Sequence, residues 1–113
     1  MKILVQQQKA LNMLDIAAKF VSKNSTLPIL QNIYLKASID SLLIRATDME
    51  KYVEIEIPCE VQIEGAITIN AKTFLDILKT IESENIELSV DQKTNIMTIK
   101  TPKDTFDING IAA

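Results

Sequence analysis

The sequence predicts an α+β domain in which two helices pack on one face of a curved, mostly antiparallel sheet. Two observations carry this prediction. One order of elements, a strand, a helix and then three strands, occurs twice along the 113 residues. The composition, 47% hydrophobic and 24% charged, is typical of a folded globular chain, and the length suits one domain. We therefore expect a duplicated β-α-β-β-β unit.

The first repeat covers residues 1–58. A short β-branched run at residues 3–5 predicts a strand, and apolar residues at helical spacing then predict a helix over residues 8–22. Turn-forming residues at 38–41 and 47–48 separate runs in which apolar and polar residues alternate. The predicted strands of this half cover residues 29–37, 42–46 and 52–57.

The second repeat covers residues 64–109. A strand is predicted at residues 66–69, and Phe74, Ile77 and Leu78 share one face of a helix predicted over residues 71–81. Three further strands are predicted at residues 86–90, 96–99 and 106–108. No linker or low-complexity segment divides the chain, so a single domain is expected.

Several kinds of chemistry lack the residues that they need. The sequence contains no histidine, which removes Ser-His-Asp and Cys-His catalysis and disfavours a zinc site. Its glycines, Gly65 and Gly110, are too far apart to form a phosphate-cradling loop. Cys59 stands alone and is expected to be a small packed hydrophobe. An enzyme and a bound cofactor are therefore not expected.

The chain shows no secretory or membrane signal. Residues 1–5 lead directly into three glutamines, without the apolar stretch of a signal peptide, and no later segment is long and apolar enough to span a bilayer. We expect a cytoplasmic protein with no membrane partner. Asp48 and Glu50 could be interpreted as a carboxylate pair for metal binding or acid–base work, but an Asp that caps its own turn is the favoured interpretation.

Charge is divided between the helices and the rest of the chain. The net charge is −3, yet residues 7–23 and 71–81 hold five lysines and two aspartates. A solvated helix face accounts for such lysines as well as a phosphate-binding face does, so the pattern alone leaves both interpretations open. Helical geometry places four of these lysines opposite the apolar stripes: Lys19, Lys23, Lys72 and Lys79.

Three motifs follow one another on this doubled frame. They are Ser-Thr-Leu-Pro-Ile-Leu-Gln-Asn at residues 25–32, Ala-Thr-Asp-Met-Glu at residues 46–50, and Gly-Ala-Ile-Thr-Ile-Asn-Ala-Lys-Thr-Phe-Leu-Asp at residues 65–76. In this order they resemble the first domain of the bacterial sliding clamp family, the β subunit of DNA polymerase III. The resemblance spans nearly the whole chain, so residues 1–113 are expected to be the N-terminal domain of a clamp whose later domains lie outside this chain.

The resemblance implies a DNA-clamp fold and a function. Two subunits of three domains each would close head to tail into a ring around duplex DNA, with helices lining the hole. This non-catalytic processivity factor would tether the polymerase, and the polymerase and clamp loader would bind the later domains. The implied DNA-contacting residues are Lys19, Lys23, Asn24, Lys72 and Lys79; the family commonly has an arginine where this chain has Asn24.

The resemblance also implies a ring contact through the last strand, expected at residues 103–108. Lys103, Phe106 and Ile108 belong to it, with Phe106 and Ile108 supplying apolar area. A competing interpretation is a protein-interaction module that binds a strand of its partner at the edge of its sheet and does not bind DNA. The helix-face lysines separate the two, because they matter for DNA binding only in the first case.

Overall fold

The computed structural model describes residues 1–21 and 31–113. The first repeat contains β1 (Lys2–Gln6), α1 (Gln7–Ala17), a 3₁₀ turn (Ala18–Phe20), β2 (Asn32–Ser38), β3 (Ser41–Thr47) and β4 (Tyr52–Pro58). After β5 (Glu60–Ile63), the second contains β6 (Gly65–Asn70), α2 (Ala71–Thr80), β7 (Asn85–Asp91), β8 (Ile96–Lys100) and β9 (Thr105–Asn109).

The predicted order of elements is confirmed, with two differences. The α-helix of the first repeat ends at Ala17 and tightens into the 3₁₀ turn, after which Val21 is extended. Residue 22, the predicted helix end, lies outside the described residues. The strand β5 was not predicted, because its four residues have mostly exposed side chains and give no clear alternation.

The described strands form two antiparallel sheets, where the sequence analysis expected one curved sheet. One sheet has the order β5-β1-β7-β8-β9, and the other has the order β4-β3-β2-β6. Nine twisted strands divide readily in this way, because large open sheets tend to curl or split as their twist accumulates. The α+β class with two helices is unaffected by the division.

The first strand of each repeat lies in the sheet formed by the other repeat. β1 pairs with β7, and β6 pairs with β2, both antiparallel. The exchange joins the repeats through main-chain hydrogen bonds, so neither half has a complete sheet of its own. The two halves therefore form one domain.

One apolar core fills the space between the sheets and the helices. The inward residues of β2 and β3 are almost fully buried, whereas those of edge strand β4 are only half-buried. The helices contact each other, α1 also contacts β4, and α2 contacts β6 and β9. The predicted placement of the helices side by side is therefore confirmed.

A glycine lets the chain cross close to β6 after β9. A Cβ at Gly110 would lie 2.7 Å from Cδ1 of Ile67 and 2.8 Å from the carbonyl oxygen of Thr68. With no side chain there, Ile111 reaches Thr68, and the two residues exchange main-chain hydrogen bonds of 2.9 Å. In the described part of the chain, no helix is long and apolar enough to cross a membrane.

Candidate nucleic-acid interface and sheet edge

The second helix holds two of the predicted DNA-contacting lysines. Oδ1 of Asn70 accepts a hydrogen bond from the Thr73 amide at 3.0 Å, which satisfies one of the free amides at the helix start. Phe74 and Leu78 then face the core. Helical spacing leaves Lys72 and Lys79 on the exposed face.

The third described lysine, Lys19, lies just beyond the first helix. It is exposed in the 3₁₀ turn at residues 18–20, one turn after Asp15. The predicted residues Lys23 and Asn24 lie outside the described residues. The structure therefore places Lys19, Lys72 and Lys79 and leaves the other two as predictions.

The structure brings these three lysines together around one groove. The groove has a volume of about 580 Å³ and runs between the end of α1 and the exposed face of α2. Ala18, Val21 and Leu75 give it an apolar floor. The other residues that line it are Asp15, Lys19, Gln31, Asn70, Lys72, Asp76 and Lys79.

The groove lysines differ from several basic residues on the sheets in their ion pairing. Among the described residues, Nζ of Lys2 lies 3.7 Å from Oε1 of Glu87, and Nε of Arg45 lies 3.2 Å from Oε2 of Glu54. Arg45 also stacks over the Tyr34 ring at 5.3 Å. No ion pair within 4 Å engages a groove lysine in this part of the chain, so their ammonium groups are available to an anionic ligand.

Two lining residues, Gln31 and Asn70, were not among the predicted site residues. Asn70 had a usable signal, because an asparagine directly before a helical pattern is a favoured N-cap. Gln31 had no such signal, since it lies beside the groove only through the path of the folded chain.

The expected ring edge is only partly as predicted. β9 lies at the edge of the five-stranded sheet, so one side of its backbone has no partner strand in the described chain. Phe106 is half-buried and packs against the core, while retaining accessible area. This geometry leaves Phe106 available for a contact between domains.

Two details of the predicted edge differ in the structure, and the ring contact itself stays a prediction. Ile108 is only 6% exposed, because its side chain points into the core and the pairing of Ile108 with Met97 holds it there. Little of its side chain is therefore accessible in this chain. Lys103 precedes the strand, which begins at Thr105, and lies exposed in the turn that joins β8 to β9. That turn forms because the Thr101 hydroxyl accepts a hydrogen bond from the Asp104 amide at 2.9 Å.

The Asx-turn interpretation of Asp48 is confirmed. Oδ1 of Asp48 accepts hydrogen bonds from the amides of Lys51 at 2.7 Å and Glu50 at 2.9 Å. These bonds, that from Lys51 above all, lower the pKa of Asp48 from its ordinary value. Within the described residues, no three His, Cys, Asp or Glu side chains are grouped to hold a metal ion.

Cys59 packs against the core as predicted. The residue is half-buried at the junction of β4 and β5. Burial, followed by the charge of nearby Asp40, raises the pKa of the thiol. A thiol that is harder to ionise is a weaker nucleophile, which fits a structural role.

Solved structures that share this fold include bacterial sliding clamps. The sliding clamp of Bacillus subtilis superposes with a TM-score of 0.95 at 26% identity, over 100% of this chain and 32% of that one. A Helicobacter pylori clamp bound to a DNA ligase peptide superposes at 0.92 with 28% identity, over 98% of this chain and 31% of that one. The clamp fold expected from the sequence is thereby confirmed.

Sequence relatives agree with the structures. The beta sliding clamps of Bacillus subtilis and Halalkalibacterium halodurans are each 31% identical, over 100% and 83% of this chain. The chain spans 32% and 27% of their lengths. The family model described as "DNA polymerase III beta subunit, N-terminal domain" matches residues 1–113. The chain therefore belongs to the family of DNA polymerase III beta subunit N-terminal domains.

Proposed function

We propose that this chain is the N-terminal domain of a bacterial sliding clamp, a non-catalytic ring subunit that encircles duplex DNA without reading its sequence and tethers the replicative polymerase. The observation that carries the proposal is the groove, where three lysines from two segments distant in sequence meet on the helix side. Family membership supports the ring. A Helicobacter pylori clamp is solved with a bound DNA ligase peptide, and we propose that such partner peptides bind to domains outside this chain.

The charge distribution suits a ring that slides. Lysines contact phosphates without regard to sequence, and an acidic exterior disfavours DNA on the outer surface. Topological linkage holds the DNA, so individual contacts can be weak. For the isolated chain we expect a Kd for duplex DNA near or beyond about 10⁻⁴ M at physiological salt, the weak end of the non-specific range.

Neutralising the groove lysines tests this proposal. The variant Lys19→Gln, Lys72→Gln, Lys79→Gln is compared with a control of equal charge change on strands and turns, Lys36→Gln, Lys93→Gln, Lys100→Gln. Fluorescence anisotropy with unrelated labelled duplexes is measured across a low-salt series, and circular dichroism verifies folding. The parent should show a log–log salt slope no steeper than about −4, and the groove variant should lose about two to three units of that slope.

The outcome also separates the clamp from the interaction module. A larger loss of binding in the groove variant than in the control supports DNA contact through the helices. Equal losses would show that binding follows net charge alone and would favour the module that uses a sheet edge. Binding that depends strongly on duplex sequence would contradict the proposal as well.

The proposal includes ring closure through the β9 edge, carried by Phe106 and the nearby Lys103. Phe106→Asp in the full-length clamp should convert the dimer to monomer while each domain stays folded, because it places a charge where apolar area is buried. Thr105→Asp, which puts the same charge on the opposite face of β9, is the matched control. A folded Phe106→Asp protein that still sediments as a dimer would remove Phe106 from the ring contact.

A further inference from the structure

The lysine groove also contains two carboxylates. Asp15 and Asp76 line it together with Lys19, Lys72 and Lys79. Asp15 precedes Lys19 by one helical turn, and Asp76 lies one turn from both of the other lysines. The local surplus is therefore one positive charge.

Neither aspartate has an evident structural task. Both are exposed, and in the described part of the chain no hydrogen bond or ion pair within 4 Å holds either carboxylate. Other polar side chains nearby do have such tasks: Asn70 caps α2, and the Thr80 hydroxyl donates to the Ile77 carbonyl oxygen. The two carboxylates can therefore act on whatever occupies the groove.

An anionic backbone in this groove would be repelled by both carboxylates. A carboxylate beside a phosphate opposes it by like-charge repulsion, and at low salt this repulsion is screened little. Each carboxylate also competes with phosphate for an ammonium group one helical turn away. Both effects weaken phosphate binding without blocking the groove.

We infer that Asp15 and Asp76 lower the affinity of this domain for DNA. This inference rests on the proposed clamp function, in which the ring retains DNA by topology and gains nothing from tight local binding. The aspartates shorten the time that each lysine stays with one phosphate. Removing the charge of both aspartates should make the groove bind phosphate more tightly.

The test replaces each aspartate with its neutral isostere. Asp15→Asn and Asp76→Asn are measured singly and together in the 113-residue chain, by anisotropy on a labelled duplex of about 30 base pairs at low salt. Each change should raise affinity about threefold, and the double variant about tenfold, because two like charges leave the groove. Glu56→Gln, which removes one negative charge from the outer face of β4, should raise affinity much less.

A conservative variant distinguishes an effect of charge on DNA binding from an effect of side-chain shape. Asp76→Glu keeps the charge and should bind like the parent, whereas a shape-dependent role would disturb binding in this variant too. Unchanged affinity in the Asp15→Asn, Asp76→Asn protein, or a gain no larger than that of Glu56→Gln, would overturn the inference. If the lysine variant still loses binding in that case, the clamp proposal stands; if neither set responds, both fail.

Discussion

The two repeats build the same elements but begin their helices in different ways. Asn70 caps α2 from the adjacent position in the chain. Gln6, in the matching position before α1, makes no such bond. Instead, the main-chain amide of Gln7 donates to the carbonyl oxygen of Glu84 at 2.9 Å, and the side-chain amide of Gln7 donates to the carbonyl oxygen of Leu78 at 2.8 Å. The start of α2 is therefore specified locally, whereas α1 depends on the other repeat.

The helices also bury different side chains at matching positions. The fourth residue of α2 is Phe74, which is only 1% exposed, and the fourth residue of α1 is Ala10. Both lie against the same core. The duplication therefore preserves the position of the helices while giving α2 the larger share of apolar contact.

The turns before the last strand of each repeat share a geometry but not a chemistry. The Asp48 amide donates to the carbonyl oxygen of Lys51, and the Thr101 amide donates to that of Asp104. In the first turn the Asp48 carboxylate accepts the amides of Glu50 and Lys51, and the Thr47 hydroxyl accepts that of Met49. In the second turn a hydroxyl alone, that of Thr101, accepts the amides of Lys103 and Asp104. One turn can therefore respond to acid and the other cannot.

Removing the aromatic ring from α2 should have the largest effect on stability. Phe74→Ala should lower the free energy of unfolding by about 3–5 kcal/mol, because it deletes a fully buried side chain and leaves a cavity. Ala10→Gly at the matching position should lower it by about 1 kcal/mol. Urea unfolding followed by circular dichroism measures both. Similar losses at the two positions would show that the repeats share the core equally.

Removing the helix cap should affect one repeat only. Asn70→Ala should lower the free energy of unfolding by about 1 kcal/mol, since the Thr73 amide loses its acceptor. Gln6→Ala, at the position without a capping bond, should stay within about 0.5 kcal/mol of the parent. The same urea titration compares them. A Gln6→Ala loss as large as that of Asn70→Ala would contradict local specification of α2 alone.

The hairpin turns after β2 and β7 should respond in opposite directions to substitution. Ile39 has a φ of 55° and is 83% exposed, whereas Asn95, in the counterpart turn, has a φ of 57°. Positive φ is unfavourable for a β-branched residue and tolerated by asparagine. Ile39→Asn should raise the melting temperature through a gain of about 0.5–1 kcal/mol, and Asn95→Ala should lower it. A loss from Ile39→Asn would show that Ile39 contributes packing.

The smallest effect expected is an acid response confined to the first repeat. The folded-state pKa of Asp48 is lowered, so its turn contributes stability above the unfolded pKa of about 4 and loses it as pH falls through the folded value. Asp48→Asn should therefore reduce the fall in unfolding free energy between about pH 5 and pH 2. Thr101→Ala should lower stability equally across that range. Parallel pH profiles for Asp48→Asn and the parent would contradict this assignment.

Most of the elements could be predicted because their signals are local. Side-chain periods of 3.6 and 2 indicated both helices and all strands but β5, apart from residues 22–30, whose structure is not described. β5 was not predicted because a short, mostly exposed strand shows little periodicity of apolar residues. Its partner β1 is distant in sequence, so only the fold makes it a strand.

The candidate site was predicted residue by residue but not as a surface. Helical spacing identified Lys19, Lys72 and Lys79 as outward-facing residues, and the structure agrees. Spacing could not place Lys19 next to α2, since the two segments are more than fifty residues apart. It also gave no sign that Ile108 is more deeply buried than Phe106, because alternation shows that the two residues share a face but not how deeply each is covered.

The sequence by itself determined the kinds and order of the elements, the absence of histidine chemistry, and the outward lysines of the helices. The tertiary structure decided the exchange of β1 and β6 between sheets, the burial of Ile108, and the groove where lysines and aspartates meet. The physical reason is the distance along the chain over which each kind of interaction acts. Periodicity and capping act within a few residues, whereas strand partners and grooves are selected by burying apolar faces that lie far apart in the chain.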